Sequence, residues 1–310
     1  MQGRLTETVS NSAAGIDTWP DQRVLSALLG GQERAIAAVA TALPDLARAA
    51  DLATETLGKG GRLIYVGAGS SGLIAALDAL EIPGTFGIAP HQVFAIIAGG
   101  AASYQRLDGA VEDDADQARA DIAAAKVGAA DVVLGISASG ATIYTGAALE
   151  EARARGAATI GIACNEYAPI HQDATIAITL LSGGEVLAGS TRMGAGTAQK
   201  AALNLLSTLI AVKLGHVHDG MMVNVRPENE KLRARAAGVV ARVAQVDAAV
   251  AREKLRAANF EPKVAILLAA GAASVADAAA LLAKSQGHLR PALAWLGATP
   301  PPAARDSGTK

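Results

Sequence analysis

The apolar positions of this chain fall into two regimes. Between residues 62 and 179, short runs of aliphatic and β-branched residues recur at 62–66, 93–97, 131–137, 158–163 and 175–179. Longer Ala-rich stretches of helical period separate them, such as Tyr144 to Arg155 with Gly156 as its stop. Strands that alternate with helices predict an α/β fold with a doubly wound parallel sheet flanked by helices. Ahead of this region, residues 1–20 are polar and turn-rich, and Gln22 to Gly58 reads as helices interrupted at Pro44. After Thr197 the pattern turns wholly helical. Ala198, Ala202, Leu205, Leu209 and Val212 form one predicted stripe before Gly215, and Ala/Leu helices with charged faces continue from Pro227 to about Leu296. Thr299-Pro300-Pro301-Pro302 and the polar residues after it predict a disordered tail. The expected organisation is therefore an N-terminal helical segment over 1–58, a sheet-bearing domain over 59–225, a helical module over 226–297 and a tail over 298–310.

Composition narrows the class. Hydrophobic residues make up 51% of 310, ample for a core, while aromatics are only 3%, which favours closely packed Ala, Val, Leu and Ile. A net charge of -2 gives no electrostatic basis for binding nucleic acid or an anionic membrane. The single cysteine, Cys164, precludes an internal disulfide and points to a reducing, cytoplasmic setting. The first residues show no basic-then-apolar leader pattern, and the apolar stretch between Lys200 and Lys213 falls short of the ~20 residues a bilayer demands. No membrane span and no signal peptide are expected.

Two segments carry the chemistry: Gly67-Ala68-Gly69-Ser70-Ser71-Gly72 and Ser137-Ala138-Ser139-Gly140-Ala141-Thr142. Each follows a strand and opens a helix. Glycines there admit close backbone approach, and free N–H groups at the helix start favour an anion. Hydroxyls from Ser70, Ser71, Ser137, Ser139 and Thr142, with the backbone at Gly69, suit a phosphate ester. The first segment also matches the G-x-G-x-x-G of dinucleotide sites. Such a site needs an acid about 20 residues on, yet no Asp or Glu occurs from Ile82 to Leu107. Gly58-Lys59-Gly60-Gly61 lacks the Walker spacing, and His216-Val217-His218 has only Asp219 nearby, too few ligands for a metal. No cofactor and no metal are expected.

A resemblance then becomes legible in Leu77-Asp78-Ala79-Leu80-Glu81-Ile82-Pro83-Gly84, in Glu112-Asp113-Asp114, in Gly189-Ser190-Thr191-Arg192-Met193-Gly194-Ala195-Gly196-Thr197-Ala198-Gln199-Lys200, and in Asn229-Glu230-Lys231-Leu232-Arg233. Together with the first Gly/Ser turn, these stretches resemble the N-acetylmuramic acid 6-phosphate etherases. Those are sugar-isomerase (SIS) domain enzymes of peptidoglycan recycling. The resemblance implies a SIS phosphosugar-binding domain over 59–225, an aminosugar phosphate as substrate, and a homodimer with sites where subunits meet. It also implies loss of D-lactate from the sugar's C3 by elimination, then hydration, with two carboxyl groups as acid and base.

By the same resemblance Glu81 matches the family's catalytic acid/base and Glu112 its second glutamate, while Ser190 and Arg192 lie in its most specific motif. From the residues themselves, Leu80 and Ile82 predict partial burial of Glu81, whereas the run Glu112-Asp113-Asp114-Ala115-Asp116 reads equally as an exposed helix start. The chain departs from the family at Leu73 and Ala141, where arginine is usual, and in Thr6-Glu7-Thr8-Val9-Ser10-Asn11. Two alternatives remain open at this point: a non-catalytic sugar-phosphate sensor, and a SIS isomerase or deaminase of another aminosugar phosphate.

Overall fold

The computed structural model describes Thr6, Thr8 and residues 13–297. The predicted tail at 298–310 and most of the N-terminal pattern around Glu7 lie outside the described residues. The chain divides into two compact units, Met1–Pro83 with Ile88–Ile210, and Gly84–Gly87 with Ala211–Lys310.

In the first unit, α1 (Asp21–Ala38) and α2 (Leu43–Gly58) precede the sheet. Pro44 sits in the first turn of α2, where its missing N–H costs nothing. Five strands follow: β1 (Arg62–Gly67), β2 (Val93–Ile97), β3 (Asp131–Ser137), β4 (Ala158–Ala163) and β5 (Ile176–Thr179). They pair in parallel in the order β2-β1-β3-β4-β5. This is the doubly wound sheet expected from the alternation. All seven residues of β3 are buried, as a central strand covered on both faces requires. The helices are α3 (Gly69–Phe86), α4 (Ala115–Ala124), α5 (Ile143–Ala154) and α6 (Gly194–Lys213). Small side chains let them lie close to the sheet: Ala147, Ala148 and Ala152 of α5 share one core with Val66, Val133 and Ile122.

Arg62 clamps the start of β1 to that of β3, its Nε and Nη2 donating to Asp131 at 2.8 and 2.6 Å. The stripe expected on α6 is not its buried face. Of its members Ala198 and Ala202 are buried, but Leu205 and Val212 are 47% and 43% exposed, and the buried face is rotated toward Ala195, Leu203, Leu206 and Ile210. The helix is apolar almost all round, so period alone does not select a side.

The second unit holds an antiparallel ribbon, β6 (Val217–His218) with β7 (Met221–Met222), and the helices α7 (Glu230–Ala244), α8 (Ala248–Ala257), α9 (Pro262–Ala269), α10 (Val275–Lys284) and α11 (Leu289–Trp295). Its core runs from Val223 and Val240 through Leu255, Ile266 and Leu267 to Leu293. Side-chain caps set three of these helix starts: Asn229 accepts from Leu232 N, Asp247 from Val250 N, and Ser274 from Asp277 N.

Candidate active site

Strand order places the two Gly/Ser turns side by side. The sheet grows from β1 to β2 in one direction and from β1 to β3 in the other, so the switch in winding falls between β1 and β3. Gly67 pairs with Ile136, and the turns leave these neighbouring ends. The crevice at such a switch point is where doubly wound sheets bind ligands.

The first turn is tight enough to demand glycine twice. A Cβ on Gly67 would stand 2.9 Å from Gly72 Cα, and one on Gly72 would meet the Gly67 carbonyl at 2.9 Å. Backbone therefore lies against backbone where β1 enters α3, and Gly72 N donates to Ala68 O at 2.9 Å. Ser70 is half-buried with no hydrogen bond among the described residues. Ser71 is buried, and its hydroxyl donates to Gln199 Oε1 of α6 at 3.0 Å. Ser71 therefore ties the turn to the Gly-Thr-Ala-Gln-Lys run.

In the second turn three hydroxyls converge. Ser137 Oγ lies 2.8 Å from Thr142 Oγ1 and 3.3 Å from Ser139 Oγ. Gly140 N donates to Ser137 Oγ at 3.0 Å and Ala141 N to Ser139 Oγ at 3.2 Å. Asn165 Nδ2 braces the loop by donating to Ala138 O at 3.1 Å. The result is a small cradle of hydroxyl and amide dipoles at the start of α5, with anion-seating geometry and no cationic side chain in either turn.

Glu112 joins the first turn. It lies on a 3-10 helix over Gly109–Asp113, half-buried, and a Cβ on Gly69 would stand 2.5 Å from its Oε1. Burial, then the Asp113 charge, push its carboxyl above the usual glutamate range. The acidic run thus divides its labour. Asp114 caps α4 by accepting from Gln117 N at 2.8 Å, Asp113 and Asp116 face solvent, and Glu112 alone turns inward.

Glu81 is not brought to these turns within one chain. It stands twelve residues beyond Gly69 on α3, about 18 Å along a helix that rises 1.5 Å per residue. The burial expected from its neighbours is also absent. Glu81 is exposed, and Leu80 beside it is 70% exposed, because both lie on the outer face of α3, whose inner face here carries the buried Asp78, Ala79 and Ile82. Ser190 and Arg192 occupy the loop before α6, Ser190 half-buried and Arg192 exposed with no paired carboxylate among the described residues.

Three polar groups have structural roles that the motifs do not announce. Asp78, one turn before Glu81, is buried and accepts from Tyr65 OH at 2.9 Å, Asn204 Nδ2 at 2.6 Å and Ser207 Oγ at 3.1 Å. Burial outweighs these donors and raises its carboxyl above the ordinary aspartate range. Glu185, also buried, grips the start of α6 by accepting from Gly194 N and Ala195 N, each at 2.9 Å. Gln199 holds Ser71. The partners of Asp78 and Gln199 lie 13 to 129 residues away and those of Glu185 are backbone N–H groups 9 and 10 residues on, so no motif spacing announces them.

The parallel sheet with hydroxyl-lined turns at its switch point is a doubly wound α/β domain of the sugar-isomerase (SIS) class, whose domain model matches residues 32–164. The chain is similar over nearly its whole length to bacterial proteins of one kind. N-acetylmuramic acid 6-phosphate etherase 1 of Enterococcus faecalis is 40% identical over 295 residues, covering 95% of this chain and 98% of that one. The N-acetylmuramic acid 6-phosphate etherases of Streptomyces avermitilis and Streptomyces coelicolor are 42% and 43% identical over 290 residues, covering 93% of each chain. The chain belongs to the N-acetylmuramic acid 6-phosphate etherase family.

Proposed function

We propose that the protein is a carbon–oxygen lyase that cleaves the D-lactyl ether of N-acetylmuramic acid 6-phosphate, giving N-acetylglucosamine 6-phosphate and D-lactate. The single observation that carries this reading is the inward Glu112 carboxyl set against Gly69, beside a hydroxyl cradle at the β1/β3 switch point. Names borne by relatives of about 40% identity over nearly the full length support it. The sugar phosphate sits on the amides and hydroxyls of Ser70, Ser137, Ser139 and Thr142, with Ser71 holding the turn in shape. Arg192, with Ser190 beside it, pairs with the lactyl carboxylate.

Elimination requires a base for the proton on C2, acidified by the C1 carbonyl of the open-chain sugar, and an acid for the alkoxide leaving C3. Glu81 takes the C2 proton. Glu112, whose raised carboxyl retains a proton more readily than an ordinary glutamate, protonates the departing lactate oxygen, and water then adds at C3.

Because Glu81 lies far along α3 from the turns of its own chain, we infer that it serves the turns of a second copy in a homodimer. Leu77 and Leu80, 50% and 70% exposed in the turn before it, and Leu25 and Leu29 of α1, 66% and 60% exposed, provide apolar surface for that contact. No described helix is long and apolar enough to cross a membrane, and the lone Cys164 is buried, which accords with work in the cytoplasm.

The test is D-lactate release from the purified protein supplied with N-acetylmuramic acid 6-phosphate, run in heavy water. Release of lactate together with deuterium at C2 of the N-acetylglucosamine 6-phosphate is expected. Phosphosugar binding without lactate would replace this reading with the sensor, and lactate without C2 deuterium would replace elimination with displacement at C3.

A further inference from the structure

The helical unit contains a cavity of about 520 Å³ whose wall includes Asn224, Arg226, Glu228, Phe260, Lys263 and Gly287. Its chemistry is uneven. Lys263 is only 7% exposed, yet no described carboxylate lies within ion-pair reach of its ammonium. Its Nζ donates to Gly287 O at 3.0 Å, which occupies one of the three N–H donors an ammonium carries. A cation this deep without an anion is costly, and burial alone pulls its amine down to about 8. Two neighbouring titratable groups, His216 and His288, are also basic. His216 is held down to about 4 by burial first and then by the charges of Lys263 and His288, and its Nδ1 has no partner among the described residues.

Two more cations stand at the rim. Arg226 is exposed on the cavity wall with no paired carboxylate among the described residues, and Arg233 stacks over Phe260 at 4.7 Å while donating to Pro227 O, both of them wall residues. The acids of the wall, Glu228 and Glu261, are solvent-exposed and therefore screened, so they do not cancel the buried charge. The wall further includes the first residues of α9, whose N-terminus adds a positive dipole end to the Lys263 charge.

We propose that this cavity is a second anion site, with Lys263 and Arg226 binding the phosphate of a small phosphomonoester and Asn224 and Asn259 facing its hydroxyl-bearing body. A cavity of this volume accommodates a monosaccharide phosphate. The ligand neutralises the buried ammonium and supplies the acceptors its remaining donors lack. Occupancy stabilises the helical unit by mass action.

The test is isothermal titration of the intact protein with inorganic phosphate and with N-acetylglucosamine 6-phosphate. Two binding events per chain are expected. Arg226→Ala, a change at an exposed side chain that cannot compromise folding, weakens one event tenfold or more and spares the other. Lys263→Met, which keeps the stem and removes the charge, weakens the same event. Ser139→Ala weakens the other one alone. Unphosphorylated N-acetylglucosamine leaves the Lys263 event unfilled. A single event per chain, or two that neither Arg226→Ala nor Lys263→Met changes, overturns the proposal, as does filling of this site by D-lactate as readily as by phosphate.

Discussion

Gly69 and Glu112 occupy one another's space: the glutamate Oε1 lies 2.5 Å from where a Cβ on Gly69 would stand. The glycine also has a φ of +54°, a backbone conformation a side chain disfavours. Forty-three positions of chain separate the two, yet the turn has room for the carboxyl only because the side chain is missing. Gly69→Ala should therefore displace Glu112 while leaving the sheet intact. Misplacement of a reacting group by about 1 Å costs roughly 10²-fold. We expect kcat for lactate release to fall by about that factor, with an unchanged circular dichroism spectrum, and Glu112→Gln to fall as far or further. Full activity in Gly69→Ala would remove Glu112 from the chemistry.

The separation of Glu81 from Glu112 along α3 yields a different kind of prediction. If each site draws Glu81 from one copy and Glu112 from the other, Glu81→Gln and Glu112→Gln homodimers are each reduced by roughly 10² to 10⁴ in turnover. Unfolding and refolding the two together forms mixed dimers that contain one intact site. Random assortment makes half the dimers mixed, so about one quarter of wild-type activity should return. Mixed samples that stay as inactive as their parents would show that each site is built within a single chain.

How far the sequence reached follows from where its information is local. The strands were legible because runs such as Val132-Val133-Leu134 are bounded by turn residues, and both turns sit at the switch point because their chemistry is written in six consecutive residues each. Glu112 was ambiguous because an acidic run has the same composition whether it caps a helix or faces a site. Only the 3-10 turn over Gly109–Asp113 points that one member inward. Leu80 and Ile82 predict partial burial of Glu81, but only Ile82 packs inside, since adjacent residues on a helix point about 100° apart. The Asp78 cluster was invisible, because its donors lie 13, 126 and 129 residues away.

That cluster carries a stability prediction. Asp78 is the common acceptor for Tyr65, Asn204 and Ser207, which link β1, α3 and α6. Tyr65→Phe removes one donor and leaves the carboxylate two, so it should cost about 1 kcal/mol. Asp78→Ala strands three donors at once, each a buried polar group worth about 1–3 kcal/mol when unpaired. We expect urea midpoints to fall in the order wild type, Tyr65→Phe, Asp78→Ala. Equal midpoints for the two variants would mean that the tyrosine hydroxyl carries the whole effect.

The last expectation concerns pH and the buried ammonium of Lys263. Its amine titrates near 8 in the folded chain and near 10.5 when free. Between these values the unfolded chain binds the extra proton and the folded chain does not, so stability rises with pH across that window. Below about 8 both states are charged, and the folded state bears the full penalty of a buried cation, on the order of a few kcal/mol. Lys263→Met has no such group. In phosphate-free buffer the stability of wild type relative to Lys263→Met should therefore climb from pH 8 to pH 10.5 and stay flat from pH 7 to pH 8, as read from chemical denaturation at each pH. Saturating inorganic phosphate, by pairing the ammonium, should reduce that climb in the wild type and leave the variant's profile unchanged. A difference that shows no rise with pH would mean that Lys263 is solvated in the folded protein.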